Sequence, residues 1–63
     1  MKLQEIRNKA GLTQQEVADA AGISRVSYCN IEIGRRRPSV AVAKRIGATL
    51  KFDWTKLFDD ENE

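Results

Sequence analysis

The chain has no histidine and a single cysteine in 63 residues, and these two shortages remove most of the familiar chemistry at once. One cysteine cannot close an intramolecular disulfide, and without histidine or a second thiol zinc has no ligand set. The missing histidine also withdraws the commonest general base and the usual catalytic triads. So short a chain rarely encloses the concave pocket that a substrate needs, and no catalytic function is expected. Apolar residues make up 41% of the sequence and are scattered. No run approaches the roughly 18 residues of a membrane span, and no apolar stretch follows Lys2 as a secretory signal requires. A soluble, cytoplasmic protein is expected, with no metal, no cofactor and no membrane partner. Folded chains of this length bury only about 60% of the surface their unfolded form exposes, which excludes a second domain and leaves stability to tidy helix packing.

What the sequence does contain is charge of both signs, unevenly placed. Residues 1 to 51 hold ten Lys/Arg against four acids, whereas residues 52 to 63 hold one lysine against five acids. The net charge of +2 therefore hides a basic body and an acidic end. Such a body suits a polyanionic partner, although charge alone also describes many solvated surfaces. The expected division is one domain over residues 1 to 58 and a flexible acidic tail over residues 59 to 63.

Leu3, Ile6 and Ala10 recur at helical spacing and predict an amphipathic helix from residue 2 to about residue 10, ended by Gly11. Thr13 stands three residues before Glu16. In that reciprocal pair each side chain satisfies a free backbone N–H, so a second helix begins at Gln14. Val17, Ala18 and Ala21 form its inner stripe, and Gly22 ends it. Ser24 caps a third helix with Tyr28 and Ile31 inward, Ile23 just before it and Gly34 closing it. Arg35-Arg36-Arg37-Pro38 is expected as an exposed basic loop, because proline disfavours helix in the residue before it. Ser39 caps a fourth helix to about Leu50, with Val40, Ala43, Ile46, Gly47 and Leu50 on one side and Lys44, Arg45 and Lys51 around the other. Asp53 caps a final short helix in which Trp54, Leu57 and Phe58 stand at i, i+3, i+4. No segment alternates at the strand period, so the expected fold is all-α, built of five short helices.

Residues 14 to 31 are the informative unit: two short helices joined at Gly22, with Ala18 four residues earlier facing the same way. A close crossing at such a turn needs small residues, and this is helix-turn-helix geometry. Here the sequence resembles the phage repressor and Cro-type helix-turn-helix domains, over roughly residues 3 to 58. The resemblance rests on Gly11-Leu12-Thr13-Gln14-Gln15-Glu16-Val17-Ala18, Gly22-Ile23-Ser24-Arg25, Ile31-Glu32 with Gly34, the basic loop to Pro38-Ser39, and Asp53-Trp54 with Leu57-Phe58. It implies a compact five-helix, lambda-repressor-like domain whose third helix enters the DNA major groove. It also implies, as is usual in the family, a homodimer that reads a palindromic operator in double-stranded DNA to control transcription, with repression by promoter occupancy as the expected mode. Arg7 and Glu32 are implied as a partly buried ion pair locking the first helix to the reading helix. The chain departs from the family at Lys51, where glycine is frequent, and at Gly47, where alanine is usual and glycine costs about 1 kcal/mol in helix propensity.

The residues themselves agree with what the resemblance implies. On a helical wheel Tyr28 and Ile31 point inward while Arg25, Val26, Cys29 and Asn30 point away, and the N-terminal part of such a helix reaches base edges. Arg25 is the first candidate for base reading, since its planar fork grips guanine O6 and N7; its alternatives are a phosphate contact or a solvated charge. Asn30 pairs with adenine or bonds a phosphate, and Val26 either touches a thymine methyl or is a stray surface residue. Gln14 at the start of the second helix suits a phosphate, helped by the free N–H groups and dipole there. Ser27 donates to a phosphate beside it, and Ser24 serves as cap, as phosphate donor, or as both. Arg35, Arg36 and Arg37 reach the flanking backbone or are simply a solvated loop. A different class of function also matches the sequence: a protein-interaction module, such as an antitoxin-type partner domain, docking through Trp54, Leu57 and Phe58.

Overall fold

A computed structural model describes residues 3 to 58; the acidic tail proposed for residues 59 to 63 lies outside the described residues. The elements in chain order are α1 (Leu3–Ala10), α2 (Gln14–Ala21), α3 (Arg25–Glu32), α4 (Val40–Leu50) and a 3₁₀ turn (Trp54–Phe58). The described residues are all-helical and contain no strand.

Local chemistry sets most of the boundaries. Thr13 Oγ1 accepts from the Glu16 N–H at 3.1 Å and the Glu16 carboxylate accepts from the Thr13 N–H at 2.8 Å, closing the capping box that starts α2. Ser24 and Ser39 cap α3 and α4 by the first of these bonds alone, accepting from Ser27 N–H at 3.1 Å and Val42 N–H at 3.2 Å. At the other end of α2, Gly22 adopts φ 75°, and the following Ile23 N–H turns back to the Ala18 carbonyl at 3.0 Å. That left-handed closure folds α3 directly across α2. The same closure ends α4, where the left-handed residue is Lys51 at φ 59°, the one non-glycine with positive φ among the described residues. Glycine adopts this conformation freely, whereas a side chain in left-handed helix conformation costs roughly 1 to 2 kcal/mol.

The core joins all four helices. Leu3, Val17, Ala18, Ala21, Tyr28, Ile46 and Leu50 are buried together, with Ile6, Leu12, Ile23, Ile31, Val42, Phe52 and Leu57 packed around them. α4 lies against α2, and the 3₁₀ turn lies against α4. The approach of that turn is close: a Cβ on Gly47 would stand 2.7 Å from Trp54 Cβ and 2.9 Å from the Phe52 carbonyl oxygen.

Three expectations are revised. The fifth helix is a 3₁₀ turn rather than an α-helix. Asp53 Oδ1 accepts from both the Thr55 N–H and its hydroxyl, at 3.0 and 2.7 Å, and the Lys56 N–H bonds the Asp53 carbonyl in the i to i+3 pattern, which leaves the segment too short for an α ladder. Val40, expected on the inner side of α4, is 53% exposed, and Val42 on the same turn packs against the core instead. Pro38, at the end of the basic loop, is buried while Arg35, Arg36 and Arg37 are exposed.

Candidate nucleic-acid interface

α3 is held in place by one carboxylate. Glu32, on the last turn of α3, accepts from Arg7 Nε at 2.8 Å and from Arg7 Nη2 at 3.5 Å. It also accepts from Gln14 Nε2 and from the Tyr28 hydroxyl, each at 2.9 Å. Arg7 Nη1 in turn donates to the Leu12 carbonyl at 2.8 Å, so α1, the turn after it, α2 and α3 converge on a single ion pair. Its side chains are only 11% and 4% exposed. Burial by itself pushes the Glu32 carboxyl up, but the hydrogen bonds from Arg7, Gln14 and Tyr28 overcome it and hold the group below the ordinary carboxylate value of 4.5. The bond to Glu32 raises the Arg7 guanidinium, and burial raises the Tyr28 hydroxyl. No buried side-chain nitrogen or oxygen among the described residues lacks a partner, so the cluster fixes the orientation of α3 rather than offering a ligand site.

The outward side of α3 carries the residues singled out from the sequence. Arg25 and Val26 are exposed on its first turn, Val26 at 63%, while Ser27 and Asn30 are half-buried beside them. Ser24 Oγ, besides capping the helix, donates to Ser27 Oγ at 3.1 Å. The Asn30 carbonyl accepts from the Arg35 and Arg36 N–H groups at 2.8 and 3.2 Å, which folds the arginine loop back against the end of α3. Arg25 and Val26 and the run Arg35–Arg37 thus stand at opposite ends of one helix. Gln14 borders this surface through Cys29, whose Sγ lies 3.7 Å from its amide nitrogen, but that amide is engaged, donating to Glu32 at 2.9 Å. The start of α2 still presents the unpaired backbone N–H groups common to any helix N-terminus.

Sequence reasoning missed several contacts. The Tyr28–Glu32 and Gln14–Glu32 bonds were not anticipated; the four-residue spacing of the first pair was the available signal, while the second depends on how α2 crosses α3. Arg45 donates to the Ala21 carbonyl at 3.3 Å, and Lys44 lies 5.5 Å from the centre of the Trp54 ring. Two cations on α4 are therefore engaged within the domain. Trp54 and Phe58 meet edge to face at 6.2 Å, and with Leu57 they are half-buried rather than forming a free apolar patch. Among the described residues no cluster of metal-ligating side chains occurs, and no helix is long and apolar enough to cross a membrane.

Comparison with known proteins agrees with the architecture. A family model described as helix-turn-helix matches residues 3–57. A Bacillus subtilis (strain 168) protein described as an uncharacterized HTH-type transcriptional regulator, YqaF, is 53% identical over 58 residues, covering 92% of this chain and 76% of its own. A Methanothermobacter thermautotrophicus protein described as an uncharacterized HTH-type transcriptional regulator is 40% identical over 76% of this chain and 70% of its own. One from Archaeoglobus fulgidus with the same description is 32% identical over 95% and 89%. With a capped α2, a left-handed turn at Gly22 and an exposed α3 locked from behind by Glu32, the chain belongs to the helix-turn-helix family of DNA-binding transcriptional regulators, in its repressor and Cro-type form.

Proposed function

We propose that the protein is a cytoplasmic repressor that binds a specific operator in double-stranded DNA as a pair of copies, with α3 of each copy in a major groove. The observation that carries this reading is the position of Arg25 and Val26, exposed on the first turn of a helix whose last turn is fixed by a buried ion pair. Arg25 reads a guanine, a contact worth roughly 1 to 3 kcal/mol of discrimination, and Val26 packs on a neighbouring thymine methyl. Asn30, one turn further along, is the second base contact. Ser24 and Ser27 meet the phosphates beside the groove. Arg35, Arg36 and Arg37 clamp the backbone where it passes the end of α3. Gln14 takes a phosphate through its backbone N–H, or by releasing Glu32 and turning its amide outward.

The size of the domain argues for two copies. Its longest principal dimension is 28 Å, short of the roughly 34 to 36 Å between successive major grooves on one face of B-DNA. One copy therefore reads one half-site. Selecting bound duplexes from a random pool yields the site, its symmetry and its spacing together, and an inverted repeat about one helical turn apart is expected. Sedimentation with that duplex then counts copies. A single copy binding with full affinity and specificity overturns the paired arrangement, and an unenriched pool overturns sequence-specific binding.

A further inference from the structure

Between the C-terminal end of α3, the arginine loop and the 3₁₀ turn lies an open groove. Its floor is apolar, formed by Leu3, Ile31 and Leu57, and its rim is cationic, formed by Arg36, Arg37 and Lys56. Glu32 also lines it. That carboxylate already accepts from Arg7, Gln14 and Tyr28 and does little to offset the rim. Lys56 also interacts weakly with the Asp53 carboxylate, which is not part of the lining.

The chain passes from this groove directly into its most acidic stretch. Leu57 is part of the floor, and two residues later the sequence runs Asp59-Asp60-Glu61-Asn62-Glu63, with four carboxylates in five positions. Extended chain advances about 3.3 Å per residue, so these five residues reach about 16 Å, enough to cross a rim in a domain 28 Å long. A segment tethered so closely acts at an effective concentration of about millimolar, which makes individually weak surface charge contacts count together.

We propose that the acidic segment 59–63 docks on the rim formed by Arg36, Arg37 and Lys56 and competes there with the DNA backbone for Arg36. The proposal rests on the reading of the arginine loop as a backbone clamp. In the free protein the carboxylates occupy positions that phosphates take in the complex, so the segment acts as a built-in brake on DNA binding.

Lys56→Gln tests this by the sign of its effect, because Lys56 is outside the DNA-contacting set. With the segment docked, losing Lys56 loosens the brake, and affinity for a duplex of random sequence rises about two- to fivefold at about 50 mM salt although a positive charge has been removed. The same substitution in a chain carrying Asp59→Asn, Asp60→Asn, Glu61→Gln and Glu63→Gln gives no gain. In the free proteins, neutralising the segment shifts the backbone amide resonances of Ile31, Gly34, Arg36 and Leu57. An unchanged or lowered affinity for Lys56→Gln in the otherwise native chain overturns the proposal, as do superimposable amide spectra with and without the four neutralising substitutions. If no variant binds any duplex, the clamp reading fails on its own, while the amide shifts still decide whether the segment docks.

Discussion

Replacing Arg7 by methionine removes the cation that faces Glu32 while keeping most of the side-chain bulk. The Glu32 side chain is 4% exposed, so water cannot take the place of the guanidinium. The carboxylate keeps only Gln14 Nε2 and the Tyr28 hydroxyl, each at 2.9 Å, and the Leu12 carbonyl loses its donor as well. Breaking one side of a buried pair costs about 3 to 5 kcal/mol, and the two surviving hydrogen bonds place this case at the lower end. A domain of 63 residues has a total stability of only about 3 to 9 kcal/mol, so Arg7→Met should sit at the edge of unfolding at room temperature. Urea denaturation followed by far-ultraviolet circular dichroism measures the loss. Adding Glu32→Gln to Arg7→Met should recover part of it, since the stranded charge is then gone. Acid supplies an independent check. Glu32 is held below its ordinary value of 4.5, so its contribution to wild-type stability is complete above that pH and disappears as the pH falls through the folded-state value. In Arg7→Met the strongest opposition to burial is lost, the carboxyl rises, and acidification relieves the variant instead. The gap between the two proteins should therefore narrow between pH 7 and pH 3. A single variant within about 1 kcal/mol of wild type at neutral pH would refute the reasoning, as would a gap that does not close in acid.

Gly47→Ala should lower the thermal midpoint despite its better helix propensity, because its Cβ would stand 2.7 Å from Trp54 Cβ and 2.9 Å from a backbone carbonyl. Overpacking of this kind costs about 1 to 3 kcal/mol against a propensity gain of about 1 kcal/mol, and a raised midpoint would mean that the 3₁₀ turn yields. Lys51→Gly should do the opposite, gaining up to about 1 kcal/mol as the strain of a left-handed lysine is relieved against the greater freedom of glycine in the unfolded chain; a clear loss in the same thermal assay would contradict this. Arg25→Ala should relax preference at one position of the selected site. Arg36→Ala should weaken binding to all duplexes alike and reduce the salt slope by about one. Indistinguishable selection profiles and salt slopes for the two variants would remove the division between reading and clamping.

The features legible in the sequence are those whose cause is local. Thr13 with Glu16, Gly22, Ser24 and Ser39 mark helix ends because each cap is closed by backbone groups within a few residues, so spacing alone specifies it. The exposure of Arg25 and Val26 follows from the helical period once Tyr28 is placed inward. What spacing could not supply is anything decided by how two helices meet. The pair Arg7–Glu32 spans 25 positions and came from the family resemblance, and the inward turn of Gln14 follows from a crossing that no local pattern encodes. Gly47 shows the difference most sharply. Read along one helix it is a propensity defect, whereas across the contact with Trp54 it is the residue that lets the 3₁₀ turn approach α4. The two departures from the family pattern therefore have unlike causes, packing at Gly47 and backbone conformation at Lys51, and both act where the chain turns back across α4 toward the groove floor at Leu57. A change at either position should alter the placement of Lys56 before it alters α3, because α3 is anchored from the other side by Glu32.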